Sequence, residues 1–173
     1  QEAFRRGIQA ALVVVFLGDG AKWVWELARI NFPDAVCILD FFHALEHVFN
    51  LLNLLYGEGD ESKKLFARWR KALRRNRIGW LIALAKRDLP TAPKARESAQ
   101  KEIDYFENNR SRMQYKTYLA AGYFIGSGVV EAGCKSVVGR RLKQSGMRWS
   151  GEGARQILTF RCALASGLFD QLW

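Results

Sequence analysis

Ala11-Leu-Val-Val-Val-Phe-Leu17 is an unbroken apolar run rich in β-branched residues, and it ends at Gly18-Asp19-Gly20. Polar residues do not alternate within it. The run therefore predicts a strand buried on both faces, as in a parallel or mixed sheet covered by helices. A helical stretch over Ala21–Asn31 follows, closed before Pro33. Ala35-Val-Cys-Ile-Leu39 then reads as a second short strand, ending in Asp40. Strand, helix, strand is the signature of an α/β chain. An acid sits just past the end of each strand, where open α/β sheets place their sites.

Beyond Asp40 the strand signal stops. Helical spacing predicts Phe41–Tyr56, a basic helix over Glu61–Arg77 carrying Trp69, a shorter apolar helix over Ile78–Arg87 and a charged helix over Lys94–Arg112. Leu89-Pro-Thr-Ala-Pro93 separates the last two, because proline breaks a helix interior. Tyr115–Phe124 is aromatic and less regular. Ser127–Leu142 reads as a helix with Ser127 as candidate N-cap. Gln144–Ser150 is a polar loop, and Gly151–Phe169 a final helix. Ahead of the first strand, Phe4–Ala10 reads as the end of a helix that Gly7 weakens, and the absence of an initiating Met at Gln1 suggests a fragment of a longer protein.

Charge divides the chain. Residues 1–60 carry 4 Lys/Arg against 8 Asp/Glu, a net of −4, whereas residues 61–173 carry 23 against 9, a net of +14. Excess positive charge of this size suits a polyanionic partner, because neutralising phosphates releases counterions. Cys37, Cys134 and Cys162 are far apart, odd in number and without a CxxC pair, which argues against a zinc ribbon or a disulfide framework and fits reduced thiols in the cytosol. There is no signal peptide, and Ala10–Leu17 is too short to span a bilayer as a helix; basic charge alone leaves nucleic acid and an acidic membrane both open, and no membrane partner is expected once the motifs below are read.

Four constellations could carry chemistry. Asp19, flanked by glycines, is either a metal-binding carboxylate at a strand end or a turn aspartate. Asp40 and His43 are either a polar pair beside a site or a capping acid with a packed histidine. His43-Ala-Leu-Glu46-His47 matches the H-x-x-E-H zinc-peptidase pattern, which would need a third ligand from a later helix. Glu131 falls in the first turns of a helix with Lys135 four residues on, which is also the spacing of a surface ion pair. After it come Lys135, Arg140, Arg141, Lys143, Arg148 and Arg155, with Trp149 among them. Cations with an interleaved aromatic suit a DNA strand, through phosphate contacts and base stacking; the plainer alternative is a solvated helix face over a core tryptophan. In the middle of the chain, Arg68, Arg70, Lys71, Arg74, Arg75 and Arg77 form a second cationic run with the same two readings.

The order of these motifs resembles the C-terminal half of bacterial insertion-sequence transposases of the ISKra type, relatives of the Mutator-like DDE transposases. The resemblance rests on Gly18-Asp-Gly-Ala-Lys-Trp-Val-Trp25, Phe32-Pro33 and Ile38-Leu-Asp-Phe-Phe-His-Ala44. It continues through Phe124-Ile-Gly-Ser-Gly-Val-Val-Glu-Ala-Gly-Cys-Lys135, Arg141-Leu-Lys-Gln-Ser-Gly-Met-Arg-Trp-Ser150, Gly153-Ala154 and Leu158. It implies a ribonuclease H-like core, here residues 1–40 and 125–173 and incomplete, with a helical insertion at 41–124. It implies catalytic, metal-ligating roles for Asp19 and Glu131, a supporting role for Asp40 and His43, and DNA contacts from Lys135, Arg140, Arg141, Lys143, Arg148, Trp149 and Arg155.

The family's first catalytic Asp is expected on an earlier strand, and nothing in Gln1–Phe16 replaces it, so the chain alone is expected to be inactive. The implied chemistry is DNA strand cleavage and strand transfer on a pair of Mg2+ or Mn2+ ions, hard cations that take carboxylate oxygens. The expected partners are transposon-end and target DNA and further copies of the chain, in a bacterial cytoplasm at the nucleoid. A non-catalytic DNA-binding or assembly remnant is the alternative from another class, and a zinc peptidase through His43 and His47 a distant one.

Overall fold

The computed structural model describes residues 2–172; Gln1 and Trp173, the outer ends of the expected core segments, lie outside the described residues. The chain is mostly helical with one small parallel sheet, an α/β mixture. It divides into two compact units, residues 1–126 and 127–173.

In the first unit a short helix α1 (Glu2–Arg5) and a 3-10 turn (Ile8–Ala10) precede strand β1 (Val15–Gly18). Helix α2 (Lys22–Asn31) crosses over to strand β2 (Val36–Leu39), which lies parallel to β1 with Val15 opposite Val36 and Gly18 opposite Leu39. The strand expected over Ala11–Leu17 is therefore only its last part, and its burial is one-sided. Leu12 is fully exposed and Val13 half exposed, while Ile38 and Leu39 of β2 are wholly buried. The reason is that β1 pairs with β2 alone among the described residues, so one edge and the residues ahead of it meet no sheet partner. Helix α2 likewise buries only Ala28 and leaves Trp23, Leu27 and Ile30 exposed along one stripe.

Helix α3 (Phe41–Tyr56) starts where the apolar spacing places it and buries Phe41, Ala44, Leu45, Val48, Leu51 and Leu52. Against it pack α4 (Asp60–Leu73) and α6 (Pro93–Asn109), and α5 (Ile78–Arg87) packs on those two, with Trp69, Leu73, Ile78, Leu81, Ile103 and Phe106 filling the space between them. Pro93, expected only to break the preceding helix, opens α6 at its first position, where a missing N–H costs nothing. Arg110–Arg112 is a 3-10 turn rather than a continuation of α6. Helix α7 (Tyr115–Ala120) then covers Phe41 with the buried Tyr115 ring, 5.0 Å away and edge-on. Ile38 and Leu39 belong to the same apolar cluster as α3–α7, so the strand pair and residues 41–124 share one core.

The second unit begins with α8 (Gly128–Gly133), which passes into π-helical turns over Cys134–Gly139 and then α9 (Arg140–Leu142). The single helix expected over Ser127–Leu142 is thus interrupted. A π-helical stretch widens the helix and shifts its carbonyls out of register. After the loop, α10 (Gly151–Ala165) is capped by the Ser150 hydroxyl, which accepts from the Gly153 amide at 3.0 Å. It ends short of Phe169, which starts a 3-10 turn. Among the described residues no helix is long and apolar enough to cross a membrane.

Candidate active site

The parallel register decides where the first acids fall. Gly18 faces Leu39, so Asp19 and Asp40 each stand one residue beyond paired strand ends. Asp40 is buried, and its Oδ1 accepts from the amides of Phe42 (2.8 Å) and His43 (3.0 Å), capping α3. Its own amide donates to the Gly18 carbonyl at 2.7 Å, tying the helix start to β1. The carboxylate is thereby a structural cap at the end of β2, the capping role that the sequence offered as one of two readings. The end of the helical segment returns to this place: the Phe41 amide donates to the Ile125 carbonyl at 2.7 Å. Gly126 there touches the Phe42 ring so closely that an added Cβ would lie 2.7 Å from it.

Asp19 is exposed, and its Oδ1 accepts from the Ala21 amide at 3.0 Å. Its backbone carbonyl accepts from the Tyr105 hydroxyl of α6 at 2.8 Å. Gly20 has a left-handed φ of 100°, and a Cβ on it would sit 2.6 Å from the Tyr105 ring, so only glycine fits the loop beneath this tyrosine. Burial, followed by the charges of Asp19, Glu102, Asp40 and Glu46, pushes the Tyr105 hydroxyl well above the usual phenol range. It stays a neutral donor in an acidic neighbourhood.

His43 and His47 lie one turn apart on α3, with ring centres 5.1 Å apart. Nδ1 of His43 lies 3.2 Å from Glu46, and Nδ1 of His47 lies 2.6 Å from Glu102 of α6. The His47 ring also stacks on Tyr105 at 3.6 Å. The H-x-x-E-H segment is therefore engaged in a polar contact within α3, from His43 to Glu46, and in polar and ring contacts from His47 to Glu102 and Tyr105 of α6. Among the described residues no three His, Cys, Asp or Glu side chains cluster closely enough to hold a metal ion.

In the second unit, Glu131 is exposed on α8. Ser127 occupies the N-cap position, but its hydroxyl donates to Glu131 Oε1 at 2.7 Å instead of capping the helix amides. Lys135, Arg140, Lys143 and Arg148 are exposed and have no ion-pair partner among the described residues. Two of the expected DNA-contacting cations are otherwise occupied. Arg155 is held by Glu152 at 2.7 Å, and Arg141 lies over the Trp149 ring at 5.0 Å. Trp149 is half-buried with its Nε1 lacking a hydrogen-bond partner, so it acts first as a platform for Arg141.

Three residues that sequence reasoning did not single out organise these places. Tyr105 and Glu102 are the α6 side chains that hold the Asp19 loop and His47. Arg161 on α10 donates to the carbonyls of Val137 and Ser136, both at 2.7 Å, and so satisfies acceptors in the π-helical turns. A lone cation inside the apolar run Ile157-Leu-Thr-Phe-Arg-Cys-Ala-Leu164 was the available signal for it.

The donors at the sheet end are hard oxygens, which suit Mg2+ or Mn2+ and not a thiophilic ion. Comparison with protein-family models, with curated proteins and with solved structures finds no match for this chain.

Proposed function

We propose that the chain is the C-terminal part of a DDE-type transposase, with a ribonuclease H-like core interrupted by the helices between Phe41 and Phe124. The observation that carries this reading is the placement of Asp19 and Asp40 just past the paired ends of two parallel strands, with the Asp19 loop braced by Tyr105. Two-metal polynucleotidyl transfer uses fixed carboxylates, and the resemblance of the motif order to DDE transposases is what gives Glu131 a ligating role in this reading. When bound there, divalent cations would activate the attacking water or 3′-hydroxyl and stabilise the leaving oxygen.

The chain's own residues have separate tasks in this reading. Asp19 and Glu131 bind the cations. Tyr105 keeps the Asp19 main chain in one conformation, which limits the reorganisation needed on ligation. Asp40 fixes the start of α3, and with it His43. Ser127 orients the Glu131 carboxylate by donating to its Oε1. Lys135, Arg140, Lys143 and Arg148 hold the DNA backbone, with exposed charge that phosphates can reach. Self-association and a nucleoid location belong to the same proposal.

The test is Mn2+ binding by water-proton relaxation together with DNA binding by anisotropy. Asp19→Asn and Glu131→Gln should each weaken Mn2+ binding at least ~10-fold, the loss of roughly one charged ligand contact, and leave DNA affinity in place. Unchanged Mn2+ affinity in both variants, with DNA still bound, would instead favour a non-catalytic DNA-binding module. Stoichiometric zinc lost on His47→Ala would favour the peptidase.

A further inference from the structure

A cleft of about 510 Å³ opens beside the Asp19 loop, between the start of α2 and the second half of α6. Its walls are Gly20, Lys22, Trp25, Lys101, Tyr105, Asn108 and Arg112, with Asp104 as the single acid. The volume is that of a small-ligand cleft and admits one strand's nucleotide, not a duplex.

The cations here are unequally committed. Lys22 and Arg112 pair with no carboxylate among the described residues, while Lys101 is shared with Glu97 at 2.7 Å. Arg112 is pre-oriented. Its guanidinium lies 4.6 Å from the Trp25 ring centre, and its Nη1 donates to the Asn108 carbonyl at 3.1 Å. The Trp25 indole is itself pinned, donating from Nε1 to Asn109 Oδ1 at 3.0 Å. A guanidinium held over an indole, with Nη1 donating to the Asn108 carbonyl and to Asn109 Oδ1, keeps its remaining N–H groups for an anion. Asp104 accepts from Gln100 at 2.7 Å and so is drawn along α6.

From these features we infer that the cleft binds a phosphodiester of single-stranded DNA, with Lys22, Lys101 and Arg112 on the phosphate and the Trp25 and Tyr105 walls beside the sugar and base. This rests on the transposase reading and deepens it, because the cleft shares Gly20 with the Asp19 loop and the bound strand would run directly past that carboxylate. It adds an anchor in the first unit, separate from the cations after Glu131.

The experiment uses the intact chain and a labelled oligothymidylate of about twelve nucleotides, within the usual span of single-strand sites. Anisotropy is followed across a salt series for the parent, for Lys22→Gln/Lys101→Gln, and for Arg140→Gln/Lys143→Gln. Both cleft lysines are exposed, so the fold should be kept, and far-UV circular dichroism verifies it. The cleft variant should bind about 10-fold more weakly, and its slope of log K against log salt should fall by about 1.4, two single-strand contacts at ~0.7 each. An unchanged affinity and slope in this variant, alongside loss in Arg140→Gln/Lys143→Gln, overturns the cleft and leaves the DNA reading standing. A parent that does not bind the oligonucleotide at low salt overturns both. Displacement of the oligonucleotide by polyglutamate at equal charge overturns the phosphodiester assignment, since the cleft would then recognise acidic charge in general.

Discussion

The two units reach order by different means. Residues 1–126 bury a continuous apolar cluster from β2 through α7, with Trp69, Leu73, Ile103, Met113 and Tyr115 almost without exposure. No described residue of 127–172 is buried. A segment of that size hides too little surface for a core of its own. Its helices are organised by polar contacts instead: Arg161 on the π-helical carbonyls, Ser127 on Glu131, Ser150 at the start of α10. The second unit also carries 7 Lys/Arg against 3 Asp/Glu, so it offers charge where the first offers shape.

The sharpest way to break this contrast is Trp69→Ala. Removing a fully packed indole should destabilise the first unit by about 3–5 kcal/mol in urea unfolding, because a cavity is left among α3, α5 and α6. A loss under ~1 kcal/mol would mean that the core is not what orders this unit. Next in size is Arg161→Leu, which strands two carbonyls and should cost roughly 3 kcal/mol of local stability. Amide exchange over Cys134–Leu142 should then rise steeply while α3 is unaffected; equal change in both would show that the units unfold together.

Asp40→Ala removes the cap of α3 and should cost about 1 kcal/mol, visible in thermal unfolding. Tyr105→Phe should cost a similar ~1 kcal/mol or less, yet loosen the Asp19 loop selectively, read by amide exchange at Gly20 and Ala21.

The smallest effect concerns pH. A hydrogen bond from Arg87 and a second from Tyr56 hold the Asp88 carboxyl down at about 2. A depressed carboxyl adds stability above its unfolded value and loses it as pH falls towards the folded one. The first unit should therefore weaken slightly between roughly pH 4 and pH 2, and Asp88→Asn should flatten that step. The group is near the surface, so solvent screening keeps the effect small. The same slope in Asp88→Asn and parent would refute the assignment.

Legibility in the sequence followed how local the cause was. Helices α3 and α5 were readable to the residue because apolar spacing, with a capping Asp at the start of α3, acts within a few positions. The acids after each strand were readable for the same reason. The length of β1 was not: seven apolar residues predict a buried strand, but only Val15, Phe16 and Leu17 of them pair with a partner strand. The π-helical turns were hidden because nothing in Cys134-Lys-Ser-Val-Val-Gly139 forbids an ordinary helix, and Arg161, which accepts the consequence, lies 24 positions from Val137. The basic cluster looked uniform in sequence. Arg155 and Arg141 proved to be engaged by Glu152 and Trp149, leaving four exposed cations without an ion-pair partner among the described residues.

By itself the sequence determined the α/β order, the start of each main helix, the strand-end positions of Asp19 and Asp40, and the surplus of positive charge, because each depends on neighbours within a turn or two. Tertiary structure alone decided that α6 reaches back to the sheet end. Tyr105 finds the Asp19 carbonyl 86 positions away, Glu102 finds His47, and Arg112 finds Trp25. Those contacts arise from the packing of α6 and the turn after it against α3, α2 and the Asp19 loop, and a partner chosen by packing leaves no periodic trace in the chain that supplies it.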